Sequence, residues 1–119
     1  METFTYPIEV ADLNSLRSRG IEATVNTGVF FTIAPSDLLR ELAIERIGTR
    51  PLQLAEGRRL EMSIGHAGVT IDGRSGITIV AFGDDNEPLL LGEYTLIGLA
   101  LTPDPVEHRF VSLEPLPLY

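Results

Sequence analysis

The sequence predicts a mainly-β domain, folded as a closed or folded-over barrel with two short helices. Three observations lead there: many short runs of alternating apolar and polar residues, turn dipeptides spaced between them, and only two stretches suited to a short helix. At 119 residues and 44% hydrophobic content, the chain has the size and composition of one globular domain spanning 1–119. It contains no linker, low-complexity segment or second domain boundary.

Phe4, Tyr6, Ile8 and Val10 alternate with polar or small residues, the period of a half-buried strand. Pro7 inside that run points to an edge or terminal strand, because proline offers no N–H to a ladder. Asp12 to Gly20 is a polar turn leading into a second strand, Ile21 to Val25. Asn26-Thr27-Gly28 breaks the pattern, and Val29 to Ile33 reads as extended again, which would put Phe30 and Phe31 on opposite faces. Pro35-Ser36-Asp37 before LLREL is a helix start, with Ser36 expected as N-cap and an acid in the first turn.

Arg50 to Leu54 and Leu60 to Ile64, joined by Ala55-Glu56-Gly57-Arg58, predict a hairpin. Val69 to Ile71 and Ile77 to Phe82 flank Asp72-Gly73, a strong turn dipeptide, with Gly76 a candidate bulge. Gly83 to Pro88 is a further turn before the apolar Leu89-Leu90-Leu91 and then Gly92. Glu93 to Leu99 fits one short helix. Asp104-Pro105 turns the chain into a last strand, His108 to Leu113, before a proline-spaced tail. Strand, glycine loop, strand and helix around Asn26 are faintly echoed by strand, Gly92 and helix later on.

Composition narrows the function. The net charge is −8 and all nine basic residues are arginine, without a cluster, so phosphate backbones repel the chain and nucleic-acid binding is not expected. No apolar run approaches the roughly 20 residues of a membrane span, so no membrane partner is expected. The first residues, METFTYPIEV, lack a basic region followed by an apolar run, so the expectation is a cytoplasmic chain without a secretory signal. Zero cysteines exclude disulfides, thiolate metal sites and a cysteine nucleophile. The acids between Gly83 and Pro88 lack the ligand spacing of a calcium loop and read as a solvated turn. His66 and His108 are isolated, so neither a metal nor another cofactor is expected. Ser36 and Ser63 have no nucleophile-elbow frame, and Asp104 belongs to an Asp-Pro turn.

Four elements, in order, carry a family resemblance: the loop of Ala23 to Pro35 with the helix at Asp37 to Leu42, the hairpin Gln53 to Arg58, Leu89-Leu90-Leu91-Gly92 with Leu96, and Asp104-Pro105. Together they resemble a retropepsin-like aspartic protease, in particular the small single-domain bacterial and archaeal versions. The resemblance implies a closed acid-protease barrel acting as a homodimer. Two aspartates, one per subunit, share a proton because like charges so close cannot both ionise. The ionised member activates a water against a peptide carbonyl, and the protonated member hydrogen-bonds that carbonyl.

By resemblance, Asn26 occupies the aspartate's position, Thr27 would reach across the dimer axis, and Gly28 lets the backbones approach. Val29 and Phe31 would bind an extended peptide substrate from below, while Ala55, Glu56, Gly57 and Arg58 would form the flap over it. Leu90, Leu91 and Gly92 would support the site structurally. Several positions depart from the pattern. Val29 stands where alanine is usual, Phe30-Phe31 replaces a smaller or more polar pair, and Glu56 replaces the flap-tip aspartate. The largest departure is Asn26, whose carboxamide takes no proton from water near neutral pH. In a homodimer both carboxylates are then lost together, so the chain as written is expected not to cleave peptides. The asparagine is either an introduced substitution or a natural loss that leaves a peptide-binding or scaffold module, and slow deamidation would restore traces of aspartate.

Overall fold

A computed structural model describes residues 2–53 and 57–115. Among these residues the chain forms β1 (Phe4–Ala11), β2 (Ser18–Val25), β3 (Thr32–Pro35), α1 (Ser36–Glu41), β4 (Gly48–Gln53), β5 (Arg59–Ile71), β6 (Arg74–Gly83), β7 (Leu89–Leu90), α2 (Glu93–Gly98), β8 (Leu101–Asp104) and β9 (Arg109–Ser112). One sheet runs β1-β2-β7-β3-β6-β5-β4, and a further β1–β5 pairing closes six of its strands into a barrel. β8 and β9 form a separate two-stranded sheet.

The 13-residue β5 organises this closure. Its first half pairs with β4, from Gln53↔Arg59 to Gly48↔Ile64, making a hairpin that extends beyond the barrel. Its second half pairs with β6 on one side and, through Gly68–Thr70, with Glu9–Ala11 of β1 on the other. The two predicted runs on either side of Gly65 are therefore one strand. Pro7 lies before the β1–β5 pairing, where β1 is a one-sided edge, as its missing N–H requires. Asp72 and Gly73 both have positive φ, 51° and 82°, the signature of a two-residue hairpin turn. Tyr6 Oη donates to Asp72 Oδ1 at 2.6 Å, which ties β1 to that turn and raises the tyrosine pKa above its ordinary value.

Five sequence expectations are corrected. The ladder is regular through Val69↔Gly76, so Gly76 marks no bulge; instead a Cβ there would meet Leu99 Cδ2 at 2.9 Å. Val29 to Phe31 is not strand, and β3 starts at Thr32. β2 begins at Ser18 rather than Ile21. β8 was not anticipated. Ser36 is the first helical residue rather than the N-cap, and its hydroxyl donates to the Gly83 carbonyl at 2.7 Å. The cap comes from another loop: Asp85 Oδ1 accepts the Asp37 N–H at 2.9 Å, placing a carboxylate on the helix's exposed amides.

Inside the barrel, Val10, Val25, Val69, Ile71, Val80 and Leu89 pack with Leu39 and Leu42 from the α1 region. A second apolar cluster of Val29, Ile33, Ile64 and Ala81, joined by Leu52, Met62 and Leu90, lies where the barrel meets the β4–β5 hairpin. No helix among the described residues is long and apolar enough to cross a membrane.

Candidate functional site

The Asn26-Thr27-Gly28 loop begins where β2 ends at the fully buried Val25. Asn26 and Gly28 both take positive φ, 67° and 83°, which asparagine and glycine tolerate better than other residues. Two left-handed residues flanking Thr27 reverse the chain within three positions. Asn26 Nδ2 donates to the Glu2 carbonyl at 2.7 Å, pinning the segment before β1 to the loop.

Beyond the loop, the chain rests on the start of α2. The Val29 and Phe30 carbonyls accept the N–H groups of Glu93 and Tyr94 at 3.1 and 2.9 Å, which satisfies first-turn donors that the helix cannot. This close approach requires Gly92, because a Cβ there would lie 2.4 Å from Phe30 O, Phe31 C and Thr32 N. Leu91 N donates to Thr24 O at 2.9 Å and continues the β7–β2 contact to the edge of the loop.

A chain of buried hydroxyls fixes the same junction. Thr32 Oγ1 accepts the Gly92 N–H at 2.9 Å and bonds Thr95 Oγ1 at 2.7 Å, which in turn meets Thr78 Oγ1 at 2.9 Å. β3, α2 and β6 are thereby joined in the interior, with each hydroxyl satisfied. One hydroxyl nearby is not. Thr27 Oγ1 is buried and makes no hydrogen bond among the described residues.

Two cavities meet at this loop. The larger, about 610 Å³, has Thr27, Val29, Ile33 and Leu90 as floor, with Arg58, Leu60, Met62 and Phe82 among its other lining residues. Its charged groups are Arg46, Arg58, Glu61, Asp84 and Glu87. The smaller, about 510 Å³, is lined by Asn26, Thr27, Gly28, Val29, Leu91 and α2 together with Leu101 and Leu113.

Asn26, Thr27, Gly28 and Val29 come together at the junction of the cavities; Leu90 faces the larger one and Leu91 the smaller. Gly57, with φ 92°, and Arg58 stand at the end of the β4–β5 hairpin, and Arg58 lines the cleft. Ala55 and Glu56 lie outside the described residues. Phe31 lines neither cavity: its ring packs 5.2 Å from Phe30 and 5.5 Å from Tyr94. Sequence reasoning did not single out Arg46, Phe82 or the turn acids Asp84 and Glu87 as cleft residues. The only local signal for Asp84 and Glu87 was the turn itself, and Arg46 and Phe82 had none.

Chemically, the loop offers a carboxamide, a hydroxyl and backbone amides. Among the described residues, the carboxylates at the two cavities are Glu61, Asp84, Glu87 and Glu93, carried by β5, the β6–β7 turn and α2 rather than by the loop.

No protein-family model matches the sequence, and no curated protein matches it. Among solved structures, the chain is similar to the solution structure of the simian foamy virus (mac) protease, at 17% identity and a TM-score of 0.53, covering 83% of this chain and 100% of that one. A foamy viral protease–reverse transcriptase in complex with double-stranded DNA gives 16% identity and 0.49 over 72% of this chain and 14% of that one. A Legionella pneumophila protein of unknown function gives 13% identity and 0.47 over 80% and 86%. The first likeness, together with the six-stranded closed barrel, shows that the chain has the retropepsin-like fold.

Proposed function

We propose that the chain is a retropepsin-type aspartic endopeptidase scaffold that works as a homodimer, holds an extended peptide beneath its β4–β5 hairpins, and does not hydrolyse it while position 26 is asparagine. The observation that carries this reading is Thr27 Oγ1, buried without a partner beside the 510 Å³ cavity at the loop. A buried hydroxyl left unpaired costs about 1–3 kcal/mol. A second copy bringing its own loop against this one offers that hydroxyl an acceptor or donor, and the two 610 Å³ clefts then run together across the axis. Peptide would lie in strand-like pairing along the cleft.

Two facing Asn26 carboxamides can hydrogen-bond a peptide and each other but cannot exchange a proton with water. Loss of the general base and general acid removes about 10²–10⁴-fold each, and the attack on the carbonyl has no other base on the loop. Restoring aspartate restores the shared-proton pair. The test compares the chain with Asn26→Asp against a mixed peptide library between pH 3.5 and 7, with and without pepstatin. Cleavage by the variant alone, stopped by pepstatin, is the expected result. Peptide capture without cleavage by either form would favour a binding module; neither cleavage nor capture would overturn the reading.

A further inference from the structure

Arg46 reaches the cleft because the chain before it is forced onto the sheet. The segment between α1 and β4 is tied at one end by Ile44 N to Leu39 O at 2.9 Å and at the other by Ile47 N to Ile64 O at 2.8 Å. Between these ties it crosses β5 at Gly65, where a Cβ would lie 2.5 Å from Glu45 O, 3.1 Å from Ile44 Cγ2 and 3.2 Å from Phe82 Cε1. Only glycine permits that crossing. The next residue, Arg46, then sets its guanidinium carbon 4.4 Å from the centroid of the Phe82 ring, which is itself buried.

The attraction of a guanidinium for a ring face uses no acceptor oxygen, so the N–H donors stay available to a carboxylate. Among the described residues no carboxylate ion-pairs with Arg46, and no hydrogen bond of its guanidinium is formed. Asp85 is taken up by the Asp37 N–H and Arg40, whereas Asp84, Glu87 and Glu61 line the same cleft as Arg46 and Arg58.

We propose that Arg46, held on Phe82, is a specificity determinant that selects an aspartate or glutamate side chain at one position of the bound peptide. This rests on the peptide-binding reading above. The apolar floor of Val29, Ile33 and Leu90 takes the neighbouring apolar side chains, and the three cleft acids repel a carboxylate from the remaining positions. The acidic preference is therefore confined to one site along the peptide. Bidentate contact favours arginine over lysine there.

The test uses a positional-scanning library of N-acetylated, C-amidated octapeptides, with binding read by fluorescence anisotropy against the chain as written, Arg46→Gln, Arg46→Glu and Arg58→Gln. At one position the chain should favour Glu or Asp over Gln by at least about tenfold, the effect of one charge-assisted contact. Arg46→Gln should lose that preference, Arg46→Glu should turn it toward Lys and Arg, and Arg58→Gln should keep it. Circular dichroism establishes that each variant is folded. Peptide binding with no acidic preference, or one that survives Arg46→Glu or follows Arg58, overturns the proposal and leaves the peptide reading intact. Binding by none of the four proteins overturns both.

Discussion

Replacing Asn26 by aspartate exchanges a donor for an acceptor at a point where the fold uses the donor. Asn26 Nδ2 gives its proton to the Glu2 carbonyl at 2.7 Å. Backbone strain does not enter the comparison, because aspartate tolerates the φ of 67° about as well as asparagine. Near neutral pH the ionised carboxylate of the Asn26→Asp variant would lose a hydrogen bond, about 1 kcal/mol net, and set its oxygen against the Glu2 oxygen. Glu2 is exposed, so water relieves much of that repulsion, and the total deficit is about 1–2 kcal/mol.

When protonated, the introduced carboxyl can donate to the same carbonyl, so its folded-state pKa is raised above the ordinary aspartate value of about 3.9. For an acid shifted upward, the variant is fully as stable as the parent below the unfolded pKa. Its deficit develops as pH rises from about 3.9 through the folded value and is complete above it. Facing aspartates in a dimer titrate as a pair, and the loss of its second proton is raised in the same direction. Urea unfolding followed by far-ultraviolet circular dichroism, at one protein concentration, should therefore give matching midpoints near about pH 3. Near neutral pH, with an m-value of about 1–3 kcal/mol/M, the variant's midpoint should be lower by about 0.3–2 M. Equal midpoints at both pH values would show that the Asn26–Glu2 bond contributes nothing. A larger deficit at the acid end would reverse the sign of the argument.

Three further outcomes test the packing around the loop. Gly92→Ala meets backbone at 2.4 Å and should cost about 3 kcal/mol or more in chemical unfolding, whereas Gly76→Ala meets only the end of the Leu99 side chain and should change stability by less than about 1 kcal/mol. Thr95→Val removes the middle hydroxyl of the buried chain, strands that of Thr78, leaves that of Thr32 with the Gly92 N–H alone, and should cost about 1–3 kcal/mol by the same measurement. Thr27→Val should leave the single chain unharmed or stabilise it by up to about 1 kcal/mol, while sedimentation equilibrium shows dimerisation weakened by at least about tenfold; unchanged association would remove Thr27 from the interface.

What was legible in the sequence were the features with local causes. β1 follows from strict alternation, the β5–β6 turn from Asp72-Gly73, and the end of β2 from the Asn26 and Gly28 positions that accept positive φ. The barrel itself was legible through the order of its loops and hairpins, and the solved-structure likeness shows that fold. Features with distant causes were not. Ser36 resembles an N-cap locally, but its hydroxyl is claimed by Gly83 and the cap is supplied by Asp85, 47 and 48 positions along the chain from the groups they bond. Val29 to Phe31 has strand-forming residues, yet the Val29 and Phe30 carbonyls are taken by α2, so the segment does not join a ladder. β8 holds only four residues including Pro103, and exists because β9 pairs with it. Arg46 could not be placed in the cleft without knowing that Gly65 admits its segment and Phe82 receives it.

The wall around position 26 depends little on what that side chain is. Gly92 lets the loop settle on α2, the Val29 and Phe30 carbonyls hold it there, and Thr32, Thr95 and Thr78 lock the strands beneath. Among the described residues the Asn26 side chain makes one hydrogen bond, to the backbone of the exposed Glu2, outside that network. The identity of the side chain at position 26 is thus separable from fold to within about 1–2 kcal/mol, the cost assigned above to aspartate. A chain built this way can gain or lose the carboxylate while keeping its cleft. The Arg46–Phe82 pair belongs to the part that persists, because it rests on Gly65 and the barrel rather than on the loop. On the reading proposed above, selection of a peptide would rest on Arg46 and its hydrolysis on a carboxylate at position 26, so either could be altered without the other.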